Sequence, residues 1–201
     1  MKNHPINTKQ ITHIAILASI AAVLLFINFP VFIFPSFYKI DFSEIPCLLC
    51  GFALGPISGC VCVFLSKLIN IVFEGGSETA FVGELASLLT SISFVLCTSL
   101  LYKKNHTKTG AVVSLIIGIV ITSFVSALLN YYVLLPMYES LMNISLNSIF
   151  ESASKLLFKV NSKLSFVMTY TFLFNITKLS LNSFIVVIIY KRISPLIKDI
   201  Y

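Results

Sequence analysis

The chain has 201 residues, 57% of them hydrophobic and only 11% charged, with no tryptophan and a formal net charge of +6. Mean hydropathy is +0.96, more apolar surface than a water-soluble domain of this size can hide and what a helical membrane domain requires. The positive balance does not mark a nucleic-acid partner, because the lysines form no stripe and sit instead at the ends of apolar runs.

In chain order the apolar runs predict an all-α membrane protein with six transmembrane helices, near 11–29, 43–55, 57–73, 81–102, 110–136 and 164–190. Residues 1–201 read as a single integral membrane domain. The first span follows Lys2 and Lys9 and lacks the small-residue cleavage pattern of a signal peptide, so it counts as structure. Within it, Ala15 and Ser19, and Ala18 and Ala22, recur at four-residue spacing and make a small-residue face. Such a face serves internal packing or a docking partner. The second span is short for a hydrocarbon core of ~30 Å and leans on the loop before it. Gly55-Pro56 allows only a tight turn into the third.

Cys47-x-x-Cys50 and Cys60-x-Cys62 have metal-like spacing, but they lie in apolar spans with no histidine nearby. They read as small buried hydrophobes, and no metal is expected. Between the fifth and sixth spans, Leu146, Ile149, Phe150, Ala153, Leu157 and Val160 recur at helical spacing opposite Asn147, Glu151, Ser154, Lys155 and Lys159. This predicts an amphipathic helix at the outer interface, either packing on the bundle or covering a pocket.

Charge sets the orientation. With the N-terminus inside, Lys2, Lys9, Lys103, Lys104, Lys108, Lys191, Arg192 and Lys198 face the cytoplasm. The smaller group Lys39, Lys155, Lys159 and Lys163 faces out, as the positive-inside tendency requires. Both termini are then cytoplasmic and the protein is multi-pass in a bacterial plasma membrane.

Polar residues inside such spans need a reason. Lys178 sits three residues after Asn175 on the same helix face, and an ammonium near the bilayer centre costs roughly 3 kcal/mol. Asn130, Glu84, Asp41 and Glu44 all fall toward the outer ends of their segments on this topology. Singly, Asn130 serves as an interhelical hydrogen bond, Glu84 as a helix N-terminal acid, Asp41 or Ser43 as a cap, and Lys178 as a partner for Glu84. Together, amides, ammonium and carboxylates among Phe and Tyr suit a flat heteroaromatic ligand with a polyol tail. No Gly-rich nucleotide loop, buried histidine or nucleophile–base pair is present, so neither ATP hydrolysis nor a hydrolase has machinery in this chain. A membrane enzyme using Glu84 and Lys178 as acid and base is a remote alternative.

Several segments resemble the substrate-binding S components of energy-coupling factor (ECF) transporters, and the riboflavin-specific branch most of all. They are Lys39-Ile-Asp-Phe-Ser-Glu-Ile-Pro46, Gly51-Phe-Ala-Leu-Gly-Pro56, Ser66-Lys67-Leu-Ile-Asn70, Gly76-Ser77, Val82-Gly-Glu-Leu-Ala86, Asn130-Tyr131 with Leu135-Pro136-x-Tyr138, and Phe174-Asn175-x-x-Lys178. Ser87 stands where the family often has Asn. The resemblance implies an outer-half vitamin pocket capped by loop one, with riboflavin as transported ligand and no separate cofactor. It implies that Asn130, Asn175 and Lys178 bind the isoalloxazine ring, with Glu84 and Asp41 nearer the ribityl side. It implies partners too: an EcfT-like transmembrane coupling subunit, met through the face of Ala15, Ala18, Ser19 and Ala22, and two cytoplasmic ATPase subunits. Another vitamin, or a flavin such as FMN, is the alternative ligand on the same fold.

Overall fold

In the computed structural model, residues 8–74, 81–142 and 145–198 are described; the Gly76-Ser77 motif lies outside them. Five helical stretches are long and apolar enough to cross a membrane: Thr8–Phe26, Pro56–Glu74, Val82–Tyr102, Lys108–Leu141 and Lys163–Tyr190. A sixth apolar helix, Glu44–Leu54, is shorter. The helices are α1 (Thr8–Phe26), α2 (Glu44–Leu54), α3 (Pro56–Glu74), α4 (Val82–Tyr102), α5 (Lys108–Leu129), α6 (Leu135–Met142), α7 (Leu146–Ser154), α8 (Lys163–Phe166) and α9 (Leu173–Lys198). Many large apolar side chains face outward, among them Val23, Ile57, Val72 and Phe184. Such a surface suits lipid and not water.

α1 ends three residues before the expected boundary of 29, because Phe29-Pro30 is extended, as a residue preceding proline prefers. These two residues form strand β1, paired antiparallel with β2 (Lys39–Ile40), so loop one is a small hairpin that the helical reading did not anticipate. Its apolar tip folds back. Phe34 meets Phe174 edge-on at 5.3 Å, Tyr38 stacks on Phe174 at 4.7 Å, and the Tyr38 hydroxyl is 2.7 Å from Thr171 Oγ1.

The turn between α2 and α3 follows directly from Gly55-Pro56. Gly55 takes φ +95°, where a side chain would be strained, and its N–H bonds to the Gly51 carbonyl. Pro56 then opens α3, where its missing N–H has no helical partner to lose. The two helices touch backbone to backbone: a Cβ on Gly59 would lie 2.8 Å from Gly51 Cα and 2.6 Å from Val95. Cys47, Cys50 and Cys62 fill this core beside Leu48, Phe52, Phe94 and Leu179.

Helices α5 and α6 run on through a π-helical turn at Asn130–Leu134, and α8 continues into α9 through another at Val167–Phe172. Pro136 accounts for the first. In a regular helix its ring would meet the Tyr132 carbonyl, and the wider turn opens that space. The helix therefore extends past the predicted limit of 136 to Met142.

The amphipathic helix of the long connection also differs from expectation, since α7 stops at Ser154 and Leu157 points outward. The backbone has found other partners. The Tyr170 hydroxyl donates to the Ala153 carbonyl at 2.8 Å and accepts from the N–H of Phe158 at 3.0 Å, while Ser154 Oγ accepts from the Val160 N–H at 2.9 Å. α7 packs on the bundle, with Ala153 fully buried and Phe150 5.6 Å from Phe166, and it contributes nothing to the cavity described below. Of the two roles open to it, packing is the one the structure supports.

Ala18 and Ala22 turn inward and are buried in the chain's own core, so they are not available to a partner; Ala15 and Ser19 are exposed. The small-residue face is thus split between two uses.

Gly59→Ala forces two backbones apart that have no room to move, an overpacking cost of about 1–3 kcal/mol. The expected result is a clearly lower melting temperature of the detergent-purified protein, with Ser36→Ala in exposed loop one as a neutral control.

Candidate functional site

At one end of the bundle, α3, α4, α5, α9 and loop one enclose a cavity of about 760 Å³. That is within the range of about 300–1,000 Å³ typical of small-molecule sites. Asp41, Glu84, Asn130, Asn175 and Lys178 all line it. Residues spread over 137 positions of sequence separation are therefore neighbours in one space.

The centre of the arrangement is Lys178. Its Nζ lies 2.8 Å from Asp41 Oδ2 and 3.0 Å from Glu44 Oε1, so one buried ammonium neutralises two carboxylates. The partners are Asp41 and Glu44, not the Glu84 considered from sequence. Around this cluster, Ser43 donates its N–H and hydroxyl to Asp41 Oδ1, Ser91 donates to Glu44 Oε1 at 3.0 Å, and Asn182 donates to the Asp41 carbonyl at 3.0 Å. Burial alone would push the Asp41 carboxyl up, but the Lys178 ammonium, with Lys67 beyond it, holds it below the ordinary carboxylate range. The sign follows: this contribution to stability is present above a pH of about 4 and fades only as pH falls through the depressed value.

The two asparagines differ in how much of their hydrogen-bonding capacity is spent. Asn175 donates to Ser126 Oγ at 3.0 Å and to the Thr171 carbonyl at 2.8 Å, which fixes the amide and leaves its oxygen unbonded among the described residues. Asn130, at the start of the π-helical turn, is 7% exposed and its side chain makes no hydrogen bond among the described residues. A buried amide without partners is costly unless a ligand or water meets it. Glu84 enters from the first turn of α4 and is half-buried.

Sequence reasoning gave no ligand role to several lining residues. Glu44, grouped with the outer polar residues but given no role of its own, is almost fully buried. Lys67 and Asn70 lie on one face of α3, and Lys67 Nζ donates to Ser87 Oγ at 2.7 Å. A lysine inside an apolar run was the available signal. Tyr38, Thr90 and Ser126 carried none, because such residues are common in membrane helices for packing alone.

A polytopic helical membrane protein with a solute-sized cavity lined by charged and amide side chains falls in the class of membrane-embedded solute-binding proteins. The chain belongs to the family of ECF transporter substrate-specific components, whose model matches residues 9–190. It is 32% identical over 192 residues to the riboflavin transporter RibU of Staphylococcus aureus (strain TCH60), covering 96% of this chain and 94% of that protein. It is 32% identical over 130 residues to the riboflavin transporter FmnP of Bacillus subtilis (strain 168), covering 65% and 68%. A solved S component of a bacterial ECF transporter superposes with a TM-score of 0.73 at 28% identity, covering 94% of this chain and 98% of that one.

Lys178→Met leaves two buried carboxylates without their counter-charge, a loss of about 3–5 kcal/mol. Thermal unfolding in detergent is expected to show a large drop in melting temperature. Adding Glu44→Gln to that variant removes one of the stranded charges and recovers part of the loss.

Proposed function

We propose that this protein captures riboflavin in the cavity from outside the cell and delivers it inward, acting with an ATP-driven coupling module. Its role is transport and not catalysis, in the bacterial cell membrane. The observation that carries the reading is the pair of open amides, Asn130 and the Asn175 oxygen, in a solute-sized cavity beside stacked Tyr38 and Phe174. Amides of this kind suit the carbonyls and ring nitrogens of an isoalloxazine, and the aromatic pair suits its flat faces. A relative matched along 96% of this chain bears the name riboflavin transporter.

The ion pairs of Lys178 bear on its role in this reading. Lys178 spends its charge on Asp41 and Glu44, so it holds loop one and α2 in place for the ligand and presents what remains of its surface to the ring. Asn130 and Asn175 are the principal ring contacts, with Glu84 toward the polyol.

In this reading the short α2 and the five long helices make six spans of a single integral membrane domain. Both ends are cytoplasmic and the cavity opens outward beneath loop one. Lys103, Lys104 and Lys108 then lie on the cytoplasmic side, in keeping with the charge bias. An EcfT-like subunit approaches α1 over Ala15 and Ser19, and two ATPases complete the assembly.

Titration of the purified protein with riboflavin, followed by quenching of flavin fluorescence, tests the site. Asn130→Ala and Asn175→Ala are each expected to weaken binding at least about tenfold, or ~1.4 kcal/mol; without flavin the melting temperature changes little in Asn130→Ala and falls modestly in Asn175→Ala, which loses two buried hydrogen bonds. Unaltered affinity in both variants would exclude these amides as ring contacts. For the partner face, Ala15→Phe with Ser19→Phe is expected to abolish co-purification with the coupling subunit while riboflavin still binds. Retained co-purification would move the docking surface elsewhere.

A further inference from the structure

Loop one carries more apolar side chains than the cavity uses. Phe34 and Tyr38 turn toward the bundle and meet Phe174. Phe29, Phe32 and Ile33 do not line the cavity, yet all three are exposed, Phe32 at 99%. From Phe26 to Tyr38 the chain carries no charged residue. An exposed apolar patch on a single loop marks an interaction surface.

The height of the loop in the bundle identifies what covers it. α5 starts at Lys108, and Ser126 stands about 27 Å further along at 1.5 Å per residue. Ser126 Oγ accepts from the Asn175 amide at 3.0 Å, so Asn175 and its neighbour Phe174 share that height. The 19 residues of α1 reach about 28 Å, the same level, before the chain turns into β1. A hydrocarbon core is ~30 Å thick. A loop resting on Phe174 and Thr171 therefore lies at the boundary between acyl chains and headgroups.

The patch is continuous with surface that already faces lipid. Phe26 and Ile27 at the end of α1 are exposed beside it, and the exposed Phe73 of α3 meets Phe26 edge-on at 6.5 Å. The loop backbone suits the same surroundings. Phe34 N–H bonds to the Val31 carbonyl and Tyr38 N–H to the Pro35 carbonyl, both at 2.9 Å, while Pro30 and Pro35 have no N–H to satisfy.

We infer that Phe29, Phe32 and Ile33 insert into the lipid leaflet on the cavity's side, which clamps loop one between α9 and the bilayer. An apolar face of Phe and Ile buries itself favourably where headgroups meet acyl chains. Moving loop one away from the cavity then requires drawing these side chains out of lipid, besides breaking the contacts with Phe174. The insertion rests on α1 and α5 as spans. Its effect on solute exchange rests on the flavin reading above.

The chain has no tryptophan, so Phe32→Trp introduces a single reporter. In phosphatidylcholine nanodiscs holding one copy each, its emission is expected to be blue-shifted. Lipids brominated near the headgroup quench it more than lipids brominated near the chain end. Ile116→Trp, exposed about 12 Å from the start of α5, is quenched in the reverse order. Leu141→Trp, exposed about 22 Å beyond Ser126 on the same continuous helix, is quenched by neither. Ile33→Trp repeats the measurement if Phe32→Trp does not fold. Emission typical of an indole in water overturns the insertion. Blue-shifted emission that no brominated lipid quenches overturns it too, since protein then covers the patch. For the clamp, Phe32→Ser with Ile33→Ser is expected to speed release of bound riboflavin in nanodiscs at least about tenfold, less than full transfer of two large apolar side chains to water would give. An unchanged rate overturns the clamp. Failure of the wild-type protein to bind riboflavin overturns the flavin reading and leaves the tryptophan result intact.

Discussion

One buried ammonium holds together the working end of this molecule. Lys178 on α9 reaches Asp41 in loop one and Glu44 at the start of α2, neighbours of each other that are both far from it in sequence. A lone charge at that depth is unfavourable, and two lone carboxylates more so, which makes the three-way arrangement close to obligatory once any member is present. From it follow the position of loop one over α9, the entry angle of α2, and one boundary of the cavity. Ser43, Ser91 and Asn182 add hydrogen bonds around the cluster, while Glu44 Oε2 is left without one among the described residues.

Much of this was legible in the chain. Apolar runs located every long helix to within a few residues, since lipid imposes the same demand all along them, and Gly55-Pro56 marked its turn unaided. The polar residues conspicuous against that background, Asp41, Glu84, Asn130, Asn175 and Lys178, do share one cavity. The pairing among them was not legible. Whether Lys178 meets Glu84 or Glu44 depends on helix rotation and depth, and both acids stand at helix starts where either choice looks reasonable. The split of the α1 small-residue face was hidden for a similar reason: Ala15, Ser19, Ala18 and Ala22 have one composition, and only packing separates the exposed pair from the buried pair. The end of α7 was invisible too, because the Tyr170 hydroxyl and Ser154, the last residue of α7, take up the N–H groups of Phe158 and Val160 just beyond it.

The cavity walls differ in how firmly they are built. The tip of loop one is fastened by aromatic contacts with Phe174 and a hydroxyl pair at Tyr38, whereas its end is held by the ion pair and hydrogen bond to Asp41. The connection after α6 is bound to the bundle through Tyr170, a few residues before Phe174 on the same continuous helix. Both external segments therefore report to one stretch of chain, the π-helical turn at 167–172 and the residues after it. A rearrangement there moves loop one and the connection after α6 together.

The length of α2 carries a final consequence. At eleven residues it rises about 16 Å, roughly half a hydrocarbon thickness. A helix so short against lipid would impose a hydrophobic mismatch on the bilayer. Here it imposes none, since Glu44 through Ala53 are buried among the other helices and never meet an acyl chain. The missing half of the helix is not a defect to be covered but vacant height inside a sheath of full-length neighbours. The cavity begins at one end of α2, where Glu44 is the residue of that helix that lines it, so extending α2 at this end would take volume from the cavity.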